Sequence, residues 1–558
     1  MLSRDRAPAM LIVAIDGADY AITRELLDRG ELPNLAALID SGSWGPVAST
    51  TPPSTPPAWT TIMTGKNPGK HGVFDFLPMY DQAMETPIAA RRKAMTLWRA
   101  LSDAGMRVGT FNLPATYPPE DLSAFQISGF DAPGFGPSLA KPREALETLR
   151  EAVGEYELCP FSIQDPEGDR EALMQHAQIP VAGTRALLER YPCDVYMVSF
   201  QIVDWVHHGH LGREMQPLVP ETLIPNGQVA TAYRLVDEGM GQIIDEWMGD
   251  STTVAVISDH GGASLDRLVN LEKVFLESGL LAYKAAGGDD AQLESRRSRA
   301  ALALRAWTGL KRALPFVARL VAPLARRARG GLASYQEDVA IDWSQTRAAP
   351  WGTYAKVRFN VAGRDPEGIV PPEEVAALAE EVTDVLLSLR HPVSGDPVYA
   401  EVITGDELYD GPWASIGPDL YGVPAEPRYQ SVSARLGVAE LPLVDLQPEP
   451  VVELSPPWGG HSPLGIMALA GKGVAQGRVV EGAKLADFVP TLLRLLAQPI
   501  PEDLDGRALD EMLSEEVTAT PAAMCEPWPA PSDDGGEDAY SEEERSAVEA
   551  RLRNLGYM

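Results

Sequence analysis

Three aspartates and three histidines lie at or near the ends of short apolar runs in the sequence. They are Asp16, Asp204, His208, Asp259, His260 and His461. Carboxylate oxygens and imidazole nitrogens are the ligand atoms by which proteins bind zinc and related divalent metals. The chain contains only eight histidines, so the placement of three of them beside acids is informative. If these six side chains converge, they predict metal-dependent chemistry.

The apolar runs beside these residues indicate the elements that must position them. Asp16 directly follows MLIVAI, Asp259 follows TTVAVIS, and Asp204 follows DVYMVSF after a short gap. Continuous rather than alternating hydrophobicity predicts strands that are buried on both faces, as in a parallel sheet covered by helices. The carboxyl ends of such strands meet at one edge, where ligands bind. Asp204 and His208, four residues apart, would face the same way in a helical turn.

Helical patterns alternate with these runs. LPNLAALIDSG at 32–42 and MTLWRALSDAG at 95–105 both end in glycine, which is typical of a helix C-terminus. The alternation predicts an α/β fold, a three-layer αβα sandwich with a mostly parallel central sheet and cap insertions.

The alternation covers residues 1–510, which are predicted to form one catalytic domain. The stretches that interrupt it are predicted cap insertions, near 120–180, 265–345 and 400–450. Residues 511–558 predict an acidic, flexible linker and a C-terminal helix that begins at Ser541, because Pro, Ala, Ser and acids dominate before that residue.

Charge and composition exclude some classes of function. The net charge of −32 and the isoelectric point near 4.6 argue against a nucleic-acid duplex as partner, although bound cations can reverse the field locally. The three cysteines show no spacing typical of a disulfide framework or a thiolate zinc cluster. The first apolar run, interrupted by Asp16, is too short for a signal peptide or a membrane span. We expect a cytoplasmic protein.

A series of motifs adds a family resemblance. The motifs are AIDGAD at 14–19, LPNLAALIDSG at 32–42, TPPSTPPAWTTIMTGKNPGKHGVFDF at 51–76, QIVDWVHHGH at 201–210, SDHGG at 258–262 and GGHSPLGIMALAG at 459–471. In order and spacing they resemble the alkaline phosphatase superfamily, in particular its type I phosphodiesterase/nucleotide pyrophosphatase branch. ATYPPE at 115–120 and IDWSQTRA at 341–348 are similar to a prokaryotic group of predicted phosphohydrolase/phosphomutase proteins.

The resemblance implies a phosphoric ester hydrolase that acts on a small phosphate ester with two divalent metal ions. It implies that one ion is held by Asp204, His208 and His461. It implies that the other is held by Asp16, Asp259 and His260. The mixture of imidazole and carboxylate favours Zn²⁺, and Mn²⁺ is compatible with it.

The resemblance also places Thr55 in the position of the nucleophile, ten residues before Gly65. The rival hydroxyls nearby are those of Ser49, Thr50, Thr51 and Ser54. Coordination to a divalent metal lowers the pKa of a bound oxygen by many units, and two ions about 4 Å apart can clamp both the attacking and the leaving oxygens. The expected course is attack by Thr55, a covalent phospho-threonine, and then hydrolysis.

One position departs from the nucleotide pyrophosphatase pattern. An asparagine shortly after the HG motif donates to a phosphoryl oxygen in that branch, and Phe76 stands there in this chain. An aromatic ring cannot replace that hydrogen bond. We consider Arg364 as the substitute, because a guanidinium can bind phosphate bidentately, and Asn360 as a weaker candidate. A surface-turn arginine with no role in binding is the alternative.

A basic segment interrupts the acidic chain. Residues 296–329 contain ten Lys or Arg residues and no acid, with apolar residues at helical spacing. Three interpretations remain open: a cap that packs its apolar face on the core, a guide for an anionic substrate, or a contact with an anionic membrane surface.

Two other functions compete with hydrolysis. A phosphomutase resembling cofactor-independent phosphoglycerate mutase would use the same metal site, but would return the phosphoryl group to a bound substrate. A non-catalytic scaffold stabilised by metal would keep the ligands without turnover. The sequence does not distinguish mono- from diesters or define the substrate.

Overall fold

The computed structural model describes residues 7–78, 86–162, 170–215, 222–284, 341–432, 450–531 and 540–555. Within them the chain forms two compact units. The first comprises the described residues of 1–264, 406–417 and 456–555, and the second comprises the described residues of 265–405 and 418–455. The basic segment 296–329 lies outside the described residues, so its three interpretations stay predictions.

A ten-stranded sheet forms the centre of the first unit. Its strands are β1 Met10–Ile15, β2 Gly42–Ala48, β3 Val108–Leu113, β4 Phe125–Ser128, β5 Ala140–Lys141, β6 Val195–Phe200, β7 Thr253–Ile257, β8 Leu464–Gly471, β9 Arg478–Val479 and β10 Ala483–Lys484. Their order is β9–β2–β8–β7–β1–β6–β3–β4–β5, with β10 beside β2.

The five strands from β7 to β4 in that order are parallel. All residues of β1, β3, β6 and β7 are buried, as their continuous apolar sequences predict. β8 runs antiparallel to both β2 and β7. The carboxyl ends of β1, β6 and β7 therefore lie side by side, as the site requires.

Helices of the first unit cover this sheet. They are α1 Tyr20–Asp28, α2 Pro33–Asp40, α3 Thr55–Thr64, α4 Pro68–His71, α5 Ile88–Arg91, α6 Leu97–Asp103, α7 Arg143–Val153, α8 Arg170–His176, α9 Ile179–Arg190, α10 Ile202–Glu214, α11 Gln228–Trp247, α12 Phe488–Leu495, α13 Glu515–Thr518 and α14 Glu542–Leu555. The predicted three-layer αβα fold is confirmed, and the predicted helices at 32–42 and 95–105 correspond to α2 and α6.

The second unit contains a smaller four-stranded sheet, ordered Tyr399–Thr404, Leu420–Pro424, Ala355–Phe359 and Ala348–Pro350, in which each neighbouring pair is antiparallel. Two longer helices, Leu271–Glu277 and Val375–Ser388, belong to it. A three-stranded sheet is ordered Tyr429–Val432, Gly261–Asn270 and Val451–Ser462.

The C-terminal part of the chain is attached to the first unit. Strand Met524–Cys525 pairs with Ile500–Pro501, and the Ser541 hydroxyl accepts a hydrogen bond from the Glu544 backbone N–H at the start of α14. Arg551 of α14 donates to the backbone carbonyls of Phe130 and Pro133. In the described part of the chain, each helix is too short or too polar to cross a membrane.

Candidate metal centre

Two neighbouring strands of the central sheet present the first group of predicted ligands. Asp16 follows β1 and Asp259 lies two residues beyond β7, and both carboxylates are buried, with exposures of 1% and 0%. The Gly17 backbone N–H donates to Asp259 Oδ1 at 3.2 Å. Gly17 has a φ of +74°, and a Cβ there would lie 2.8 Å from Asp204 Cβ, so this approach requires glycine.

His260 completes this group. Its Nε2 lies 3.2 Å from Asp259 Oδ2 and 3.7 Å from Asp16 Oδ1. The possible ligand atoms of the three residues lie within 4.8 Å of one another, a separation that one ion can bridge. His260 Nδ1 is 3.0 Å from the Gly261 carbonyl oxygen. A carbonyl only accepts hydrogen bonds, so Nδ1 carries the proton and Nε2 keeps its lone pair for a metal.

The second group joins helix α10 to the strand Val451–Ser462. Asp204 and His208 lie one turn apart on α10, with Asp204 Oδ2 3.5 Å from His208 Nε2. His461 Nε2 lies 3.4 Å from Asp204 Oδ1 and 3.1 Å from His208 Nε2. The His461 Nδ1–H donates to the Pro53 carbonyl at 2.8 Å, which again turns Nε2 toward the cluster.

The two groups adjoin through a pair of imidazoles. The rings of His260 and His461 are stacked with centroids 3.6 Å apart and an interplanar angle of 16°. Possible ligand atoms of Asp204, His260 and His461 also lie within 4.8 Å of one another. The structure thus brings all six predicted residues into one cluster, with His260 at the junction between the two predicted ligand sets.

Thr55 lies at the edge of this cluster. It is the first residue of α3, its exposure is 1%, and its Oγ1 is 3.2 Å from His260 Nε2. Pro56 and Pro57 follow it in the first turn and have no N–H group, and the Ala58 N–H donates to the Ser54 carbonyl. Among the rival hydroxyls, that of Thr50 donates to the Pro52 carbonyl.

The electrostatics of the cluster suit divalent cations. Burial, followed by the charges of Asp259 and Asp204, raises the pKa of Asp16, and burial followed by Asp204 raises the pKa of Asp259. Burial, followed by the charge of His461, lowers the pKa of His260. Within the described residues no hydrogen bond reaches Asp16 Oδ1 or Asp259 Oδ2, although both atoms are buried. Buried carboxylate oxygens require partners, so the donor set fits a bound metal.

A known protein family matches most of the chain. The sequence model of the type I phosphodiesterase / nucleotide pyrophosphatase family matches residues 10–442. The chain belongs to this family. Membership in the type I phosphodiesterase / nucleotide pyrophosphatase family indicates a phosphoester hydrolase of the phosphodiesterase/pyrophosphatase type. No curated protein is significantly similar to the chain.

The matched segment contains most, but not all, of the clustered residues. It includes five of the six predicted ligands and Thr55, and it ends before His461. The place of His461 in the cluster therefore rests on its distances to Asp204 and His208.

The two predicted phosphate donors belong to the second unit of this phosphodiesterase-family chain. Arg364 donates to Asp365 Oδ2 at 2.9 Å, to Asp419 Oδ2 at 2.9 Å and to the Phe359 carbonyl at 2.6 Å. Two carboxylates thus already neutralise its guanidinium. The Asn360 amide nitrogen lies 2.8–3.0 Å from the carbonyl oxygens of Trp343, Thr346 and Glu367, so both of its hydrogens already have acceptors. Their roles in substrate binding stay predictions, and these contacts weigh against them.

Sequence reasoning missed one contact of the site. The Trp59 indole Nε1–H donates to Asp16 Oδ2 at 3.0 Å, and Trp59 is fully buried. Its spacing could have indicated that Trp59 lies near the site, because it follows Thr55 by four residues and therefore lies on the same face of α3. Phe76 is buried, and its place in the slot of the family's asparagine stays a prediction.

Proposed function

We propose that this chain is a metal-dependent phosphodiesterase or phosphatase that cleaves a small phosphate ester through a phospho-threonine at Thr55. The observation that carries the proposal is the position of Thr55 Oγ1, 3.2 Å from His260 Nε2 at the edge of a buried cluster of three aspartates and three histidines. The rival hydroxyl of Thr50 is less suitable, because it donates to the Pro52 carbonyl.

Two divalent cations are the proposed cofactors. Asp16, Asp259 and His260 would hold one, and Asp204, His208 and His461 the other. When bound, such ions would supply Lewis acidity that lowers the pKa of a hydroxyl and neutralises charge on the phosphate. Zn²⁺ is favoured by the imidazole and carboxylate donors, and Mn²⁺ is compatible with them.

The residues of the chain have defined tasks in this proposal. Thr55 Oγ1 releases its proton to solvent and attacks phosphorus, a bond from Oγ1 to phosphorus forms, and the bond from phosphorus to the leaving alcohol breaks. The departing oxygen takes up a proton from solvent. Water then attacks the phospho-threonine, which releases the phosphate product and restores the Thr55 hydroxyl.

Replacing Thr55 tests the nucleophile. We expect Thr55→Ala to lower the hydrolysis of nitrophenyl mono- and diesters by about 10³-fold or more, since removal of a nucleophile leaves only the residual catalysis of the site. Thr55→Ser should keep part of the activity and become phosphorylated at the same position, as detected by mass spectrometry after acid quench. Thr50→Ala is the matched control and should retain activity. Unchanged hydrolysis in Thr55→Ala would reject the assignment.

Product analysis separates the alternatives. Hydrolysis predicts phosphate or a phosphate monoester as product with no isomerised substrate. A mutase reaction would give an isomer and little free phosphate. A scaffold would bind the cations but turn over neither mono- nor diesters, nor nucleotides, in a substrate screen with metal added back after chelation.

A further inference from the structure

Asp19 is a buried carboxylate close to the predicted metal ligands, three residues after Asp16. Its exposure is 6%. Its Oδ1 accepts hydrogen bonds from the backbone N–H groups of Ala21 and Ile22 at 2.9 and 3.0 Å, so it caps α1. A helix cap uses one carboxylate oxygen and is a sufficient structural reason for an aspartate here. The contacts of its other oxygen are not explained by capping.

The second oxygen of Asp19 faces the segments that carry the histidines. Ser462 Oγ donates to Asp19 Oδ2 at 2.6 Å, and Ser462 directly follows His461. Burial raises the pKa of Asp19, while hydrogen bonds from Ser462 and from backbone N–H groups that include Gly262 act in the opposite direction. The Asp19 carboxylate therefore contacts Ser462, which is next to His461, and Gly262, which lies two residues after His260.

Gly261 shows how closely these segments are packed. A Cβ at Gly261 would lie 2.3 Å from Asp19 Oδ2 and 2.3 Å from Ser462 Oγ. The hydrogen bond between Asp19 and Ser462 thus lies directly over the backbone that follows His260. A side chain at this position would push the two partners apart, so the bond and the glycine form one packing arrangement.

The backbone of Asp19 is also held by a hydrogen bond. Its N–H donates to Tyr233 Oη at 2.9 Å, and Tyr233 is buried on α11. The carboxylate cannot turn away from Ser462 without losing the α1 cap. Its two oxygens are thus held in place, one by the helix and one by the His461 segment.

We infer that Asp19 is a positioning residue of the metal centre, which joins the Asp16, His260 and His461 segments through its hydrogen bond to Ser462. This inference rests on the proposed function, because it assumes that cations bind to those segments. Asp19 acts through the ligands and does not itself bind the ions. Outer partners of this kind typically change metal affinity by about 10- to 100-fold.

Two substitutions remove the hydrogen bond between Ser462 and Asp19 in different ways. Ser462→Ala deletes the hydroxyl donor and leaves the α1 cap untouched. Asp19→Ser retains a capping oxygen but is too short to reach Ser462. We expect both to weaken Zn²⁺ binding about 10- to 100-fold, measured by competition with a chromophoric chelator, and to alter the visible absorption of the Co²⁺-loaded protein. Ser462→Thr, which restores a hydroxyl, should recover most of the affinity.

The matched controls lie elsewhere in the first unit. Asp237→Ser removes a carboxylate that caps α2 through the N–H groups of Asn34 and Leu35, and Ser43→Ala removes a buried hydroxyl that donates to the Ala475 carbonyl. Both should leave Zn²⁺ affinity and the Co²⁺ spectrum unchanged. Equal losses in the controls, or unchanged binding in Ser462→Ala and Asp19→Ser, would overturn the inference. A wild-type protein that binds neither ion would instead reject the proposed function.

Discussion

The Trp59 indole lies one helical turn beyond Thr55 and donates a 3.0 Å hydrogen bond to Asp16 Oδ2. One helix therefore presents the candidate nucleophile and fixes a candidate metal ligand. The bond leaves Asp16 Oδ1 directed toward His260 Nε2, at 3.7 Å. Any movement of α3 would shift Thr55 and Asp16 together.

Trp59→Phe tests this coupling. Loss of the indole N–H leaves a buried carboxylate oxygen without its donor, so we expect the metal-free protein to lose about 1–3 kcal/mol of unfolding free energy. Zn²⁺ affinity should also fall, because Asp16 is no longer held. Trp98→Phe is the matched control, since Trp98 is equally buried and its Nε1 has no hydrogen bond within the described residues. Similar losses of metal affinity in both variants would contradict the coupling.

Removal of metal should destabilise the first unit. Ions that bind only the folded state add about 2.7 kcal/mol each when present at 100 times their dissociation constant. We expect chelation to lower the melting temperature, measured by calorimetry, and added Zn²⁺ to restore it.

Asp259→Asn should greatly reduce this dependence on metal, because it removes a charged ligand from the centre of the cluster. Asp237→Asn, which changes a carboxylate that caps α2, should respond to chelation as the wild type does. A wild-type melting temperature that does not respond to chelation would count against a folded-state metal site.

The buried His71 should make the free energy of unfolding depend on pH, independently of the metal centre. Its Nδ1 accepts from the Val73 N–H and its Nε2 contacts Thr61 Oγ1, which is the bonding pattern of a neutral ring. Burial, followed by the charge of Arg92, lowers the pKa of His71 from 6.5 to about 3. Between these values the unfolded chain binds a proton that the folded chain does not, so stability is present above pH 6.5 and falls as pH decreases toward 3.

The expected slope is about 1.4 kcal/mol per pH unit from this one residue. Urea unfolding of the chelated protein at pH 6.5 and at pH 5 measures it. His71→Gln cannot titrate in this range, so its loss over the same interval should be smaller by about 1.6 kcal/mol. An equal pH dependence in both proteins would show that His71 does not contribute.

The contacts of Arg551 indicate that the C-terminal helix α14 contributes to the stability of the first unit. Its guanidinium donates to the carbonyls of Phe130, Ala132 and Pro133, and its side chain is partly buried. Arg551→Ala leaves these acceptors without a charged donor, so we expect a loss of about 2–3 kcal/mol in chemical denaturation. Arg553→Ala, on the exposed side of the same helix, removes only the pair with Glu549 and should cost less than about 1 kcal/mol.

A substantial part of the fold and of the cluster was predictable from sequence. The continuous apolar runs before Asp16 and Asp259 identified buried parallel strands, and the ends of such strands necessarily share one sheet edge. The spacing of Asp204 and His208 required only that their turn be helical, which it is. The choice of Thr55 as nucleophile among five neighbouring hydroxyls comes from the family resemblance rather than from spacing, and it stays a prediction.

Other features could not be predicted, for physical reasons. Hydrophobicity does not encode strand direction, so the antiparallel course of β8 between β2 and β7 was not visible in GIMALA. The contacts of Asp19 with Ser462 and of Trp59 with Asp16 join residues whose proximity depends on the whole fold. Arg364 resembled a phosphate donor in sequence, but its neutralisation by Asp365 and Asp419 depends on tertiary structure. The predicted division at residue 510 stays a prediction.

The two prolines that follow Thr55 affect the order in which the site can be assembled. Most helix starts bind anions through several unpaired backbone N–H groups. In the first turn of α3, the two prolines have no N–H and that of Ala58 is hydrogen-bonded, so only the N–H of Thr55 remains. The backbone N–H groups alone should therefore bind an oxyanion weakly. Loading should be sequential, cation before ester, so that vanadate or phosphate competes for the pocket only after the ions have entered.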